Sequence, residues 1–160
     1  MGTGKSGVIG AVCAVLLSTA SPAASESADR VVPDEPDLMC GPNCLWQVAY
    51  MYGRTCTLSE VRRFVGTRPE TGTSVEGIVQ ASAQMGLSAT AARCDLSTIR
   101  SHPGPVILYF DAVKPARTGH FVVLSQVGPD HVRVLDGKAT REFPLDNLGQ
   151  SWLGGMATLA

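Results

Sequence analysis

Leu45, Val48, Ala49 and Tyr52 recur three and four residues apart. That is one face of an α-helix, so the spacing predicts a helix from Gly41 to Tyr52. Pro42 suits its first turn, where a missing N–H costs nothing, and Gly53 ends it. "TLSEVRRFV" opens with a capping box, Thr57 to Glu60, and predicts a short second helix. "TSVEGIVQASAQMG" opens with another, Thr73 to Glu76. It puts Val75, Ile78, Val79, Ser82 and Met85 on one face before Gly86 stops it.

Beyond Gly86 the period changes. "LSATAAR" is a strand candidate, and Asp95 is placed to cap a short helix, "LSTIRS". "PVILYF" is a continuous apolar run between prolines and a loop, the pattern of a buried strand. "GHFVVLSQV", "GPD" and "HVRVLD" form a hairpin: two β-branched runs around a Gly-Pro turn. "LDNLGQSW" predicts a last helical turn and "GMATLA" a closing strand. Helices first and an antiparallel sheet after them predict an α+β fold in one domain, residues 37 to 160.

The N-terminus follows other rules. Lys5 gives a positive start, "VIGAVCAVLLSTA" is an uncharged apolar run, and small residues cluster in "STASPAAS". That layout predicts a secretory signal peptide over residues 1 to 24, cleaved after Ala20 or Ala24. The expected location is therefore outside the cytoplasm, secreted or periplasmic. An uncleaved segment would instead leave the chain anchored to a membrane. Residues 25 to 36, polar, acidic and Pro-bearing, predict a linker. The formal net charge is −1 and there is no Lys/Arg run, which argues against a nucleic-acid partner.

The cysteines change the picture most. With Cys13 lost in the signal, Cys40, Cys44, Cys56 and Cys94 remain. Structural zinc prefers two answering pairs of ligands, and only one close pair exists, so no metal and no cofactor is expected. Cys40 and Cys44 are one helical turn apart with parallel side chains, poor geometry for a disulfide. Cys56 and Cys94 have two open readings, a disulfide formed after export or two small buried side chains. Cys40 stands at the helix entrance, where unpaired N–H groups and the positive end of the helix dipole favour a thiolate.

A thiolate nucleophile needs a base, and the base needs an orienter. His102 lies in a loop before a proline and His131 beside the hairpin turn, so both read as surface residues. His120 begins an apolar strand, a rigid place from which to aim a side chain. Asp136 ends the next strand, and the hairpin brings the two together. Each residue also has a plain reading: Cys40 as an ordinary helix-start residue, His120 as a satisfied strand end, Asp136 as the first residue of the turn "DGK". Their order and their elements favour the catalytic one, a papain-like thiol hydrolase.

In this order the segments resemble the bacteriocin-processing, double-glycine leader cysteine peptidases. "CGPNCLWQVAYMYG" resembles their nucleophile helix, and "TSVEGIVQASAQMGLSATAARCDL" their third helix and following strand. "PVILYF", "GHFVVLSQVGPDHVRVLDG" and "SWLGGMATLA" are similar to their sheet. The resemblance implies a papain-like fold with Cys40 as nucleophile, His120 as base and Asp136 as orienter. It makes Cys44 a second, non-nucleophilic cysteine. It also implies a peptide or protein substrate, with membrane association only through an uncleaved N-terminal segment or a membrane exporter partner. That family places a Gln six residues before the nucleophile to donate to the oxyanion; here the position is Asp34. A carboxylate only accepts hydrogen bonds. Two further functions therefore stand beside an exported thiol peptidase: a peptide-binding pseudo-peptidase, and an acyltransferase using the same thioester.

Overall fold

The computed structural model describes residues 38–110, 119–152 and 155–159, and for residues 149–151 and 155–159 the backbone alone. The expected signal, the linker and Asp34 lie outside the described residues. Helix α1 spans Cys40–Met51, α2 Leu58–Val65 and α3 Val75–Gln84. Strand β1 spans Ala89–Ala92, and α4, Leu96–Ser101, precedes β2, Val106–Phe110. The hairpin is β3, His120–Val127, and β4, His131–Asp136. Strand β5, Ala139–Pro144, then leads through α5, Leu145–Ser151, to β6, Gly155–Leu159.

The six strands form one antiparallel sheet in the order β1-β6-β2-β3-β4-β5. The α+β architecture expected from the element order is the one observed. The continuous apolar run of β2 has a direct cause: both faces of the sheet are covered. Alternate residues Ile107, Phe121 and Val123 pack under Leu45, Val48, Val61 and Ile78 of α1–α3. The residues between them, Val106, Leu108, Val122 and Leu124, pack with Ile99 of α4 and Leu145 and Leu148 of α5. A period of two within each strand thus divides the interior into two cores.

Local signals decide where elements begin. The Thr57–Glu60 box forms as expected: Glu60 N–H donates to Thr57 Oγ1 at 3.2 Å, and Thr57 N–H to Glu60 Oε2 at 2.8 Å. The box expected at Thr73 does not form. Ser74 caps α3, accepting from the Gly77 N–H at 3.0 Å. Thr73 is instead buried, with its hydroxyl 2.8 Å from that of Thr67. Strand β5 is absent from the sequence reading. Its residues "ATREFP" are mostly exposed and only Phe143 is buried deep in the core, so no period of two is visible. Pro144 is tolerated because β5 is the edge strand.

Candidate active site

Helix α1 starts at Cys40 itself, one residue earlier than its apolar spacing implies, so Cys40 belongs to the first turn. Its side chain is buried, at 4 % exposure. Close packing fixes this turn. A Cβ on Gly41 would stand 2.5 Å from Thr73 Cγ2, so only glycine lets the α2–α3 loop approach. In front of Cys40 lies the start of β3, and the Phe121 N–H donates to Cys40 Sγ at 3.5 Å.

His120 is the first residue of β3, 3 % exposed. Strands β3 and β4 pair Val123 with Leu135 and Leu124 with Val134. Extending that register makes His120 and Asp136 diagonal neighbours on one face, within reach of each other's side chains. The distance from His120 Nε2 to Asp136 Oδ1 is 2.9 Å. A carboxylate accepts, so Nε2 carries the hydrogen, and Nδ1 is the nitrogen left for Cys40. Burial works against a charge on this ring. Hydrogen bonds to Asp136 and to Cys40, and the charges of both, outweigh it and push the pKa from 6.5 up to about 9.

The other histidines are used elsewhere. His131 is exposed as expected, with Nδ1 2.8 Å from Asp130 Oδ1. His102 is half-buried rather than on the surface: its Nδ1 accepts from the Gly104 N–H at 3.2 Å and closes its own loop. Cys44 lies in the core beneath α1. Cys56 and Cys94 are free thiols, so the disulfide reading is corrected in favour of two packed side chains. They cannot meet because they pack on opposite faces of the sheet, Cys56 with the α1–α3 core and Cys94 with the α4–α5 core. Burial and a neighbouring carboxylate, Glu60 and Asp95 respectively, push both thiols up. Among the described residues no group of three His, Cys, Asp or Glu is close enough to hold a metal ion.

Two groups behind Asp136 escaped the sequence reading. Arg141 Nη2 stands 3.8 Å from Asp136 Oδ2. It sits on β5, whose mostly exposed residues show no strand period in the sequence. Gln47 Nε2 donates to the Gly137 carbonyl at 2.5 Å. The signal for Gln47 was present: it falls seven residues after Cys40, two turns along the same helix face.

Residues 31–160 match the peptidase C39 family. The chain belongs to that family. Among curated relatives, the lactococcin-G-processing and transport ATP-binding protein LagD of Lactococcus lactis is 26 % identical over 126 residues, covering 78 % of this chain. The chain spans only 18 % of LagD. An uncharacterised protein of Methanothermobacter marburgensis is 27 % identical over 106 residues, 66 % of this chain and 70 % of its own length. Two solved structures share the fold. One is a double glycine motif protease from an AMS/PCAT transporter in complex with its leader peptide (TM-score 0.67, 22 % identity, 81 % of this chain and 89 % of that one). The other is the peptidase domain of Streptococcus ComA (TM-score 0.68, 23 % identity, 81 % and 96 %). The C39 fold of this chain is therefore the papain-like one, helices packed on an antiparallel sheet.

Proposed function

We propose that this C39 chain is a thiol peptidase acting on a leader or other peptide substrate. Cys40 Sγ attacks the peptide carbonyl. His120 holds the thiol proton and returns it to the leaving amine. Water then hydrolyses the acyl-enzyme, with His120 as base, and Asp136 keeps the imidazole in its tautomer throughout. The observation that carries this reading is the 2.9 Å bond between His120 Nε2 and Asp136 Oδ1, with the N–H of the next residue, Phe121, donating to Cys40 Sγ at the start of α1. The leader peptide bound by the transporter protease supports the substrate class. The apolar N-terminal run supports action outside the cytoplasm.

Single-turnover acylation by an activated peptide ester tests it. The expected result is a covalent adduct on Cys40, absent from Cys40→Ala. An adduct handed to added amines in preference to water makes the protein an acyltransferase. No adduct at all makes it a peptide-binding pseudo-peptidase. Asp34 is the expected weak point, since a carboxylate at the oxyanion repels the charge that develops there. Asp34→Gln should raise the acylation rate about tenfold or more.

A further inference from the structure

The amide of Gln47 is used unevenly. Its Nε2 donates to the carbonyl of Gly137, while its Oε1 is buried with no hydrogen-bond partner among the described residues. An apolar side chain of the same length would pack against the same helix face and leave no orphaned acceptor. What it could not supply is the bond to Gly137. That residue directly follows Asp136 and sits in the two-residue turn joining β4 to β5, with φ at +58°. The turn lies at the sheet edge, where Lys138 and Ala139 are exposed and a left-handed glycine gives the backbone freedom. Gln47 is the described side chain that ties this turn back to the helix carrying Cys40.

We propose, building on the thiol-peptidase reading, that Gln47 is a positioning residue: by holding the Gly137 carbonyl against α1 it sets where Asp136 stands relative to Cys40. The imidazole of His120 follows Asp136 through the 2.9 Å bond, so the tether aims the second ring nitrogen at the sulfur. Gln47 touches no reacting atom. It acts through Asp136, with Cys40 facing His120 from α1, Asp136 from β4 and Arg141 from β5 behind the carboxylate.

The test uses the full chain with Gln47→Met, which fills the space, and Gln47→Glu, which keeps the shape but not the donor. Both should lower kcat about tenfold or more with KM changed less than about twofold, since small misplacements of reacting groups cost up to roughly a hundredfold. Gln47→Met should leave Tm unchanged or raised, because the orphaned acceptor is gone. The NMR titration of the His120 imidazole should move down by about one unit, the mark of a loosened Asp136. In an Asp136→Asn background, Gln47→Met should add almost nothing. Unchanged kcat and titration, or a rate that falls only in step with Tm, would overturn the proposal and leave Gln47 as packing. The titration does not depend on turnover. A shifted titration in a protein that never acylates would sink the peptidase reading and uphold the positioning role.

Discussion

The β3–β4 hairpin carries a His–Asp pair at each end, and the two pairs have nearly the same length. At the open end His120 and Asp136 are 2.9 Å apart; at the turn His131 and Asp130 are 2.8 Å apart. Distance does not distinguish them, but their surroundings do. The first pair's side chains are 4 % and 12 % exposed, the second pair's 58 % and 76 %. The first also has neighbours on every side: Cys40 before the imidazole, Arg141 behind the carboxylate, and Gln47 on the next residue. The second faces solvent. A buried pair keeps its full electrostatic strength, whereas an exposed one is screened and adds little. The comparison teaches that a histidine and an aspartate become a candidate site through what encloses them.

The sharpest way to break the comparison is to neutralise each carboxylate. Asp136→Asn should lower the acylation rate by on the order of 10²–10⁴, because the ring loses the partner that sets its tautomer. Asp130→Asn should change it less than about twofold. Comparable losses in both would remove the distinction between the two ends.

The pH dependence of stability comes next. The folded His120 value of about 9 lies above the ordinary 6.5, so folding holds a proton that the unfolded chain releases. That stabilisation is complete below about pH 6.5 and is lost as the pH rises through 9. Thermal unfolding between pH 6 and 10 should show Tm falling across that window, and His120→Ala should flatten the curve. Asp130 has the opposite sense: its hydrogen bond from His131, together with that residue's charge, lowers its pKa. Any stability it contributes is present above its ordinary 3.8 and is lost on acidification.

Arg141 should give the smallest effect. Its guanidinium is 37 % exposed and 3.8 Å from Asp136 Oδ2, a distance at which solvent screens the pair. Arg141→Met should slow acylation about two- to fivefold, a loss of less than about 1 kcal/mol. A hundredfold loss would promote Arg141 to a partner equal to His120.

Much of this was legible beforehand where a residue's role is local. The face of Leu45, Val48 and Ala49 marks α1, the Thr57–Glu60 box marks α2, and the Gly-Pro turn brings His120 to Asp136. What stayed hidden depends on contacts between distant segments. Thr73 fits a capping box by spacing, but its hydroxyl is taken by Thr67 and its methyl by the close approach of Gly41. Strand β5 carries too few apolar side chains to show a period, and Arg141 was hidden with it. Cys56 and Cys94 face different cores, a fact about the two sides of the sheet that no spacing along the chain contains.

The central claim is that the protein makes Cys40, alone among the four free thiols of the described residues, a nucleophile, and that His120 is the reason. The direct measurement is the rate at which each cysteine is alkylated in the native protein between pH 5 and 8, read by peptide mass mapping. The account predicts that Cys40 is modified first at every pH despite being more buried than Cys56 and Cys94, and that His120→Ala removes its lead. Cys40 reacting no faster than Cys44, or keeping its lead without His120, would contradict it.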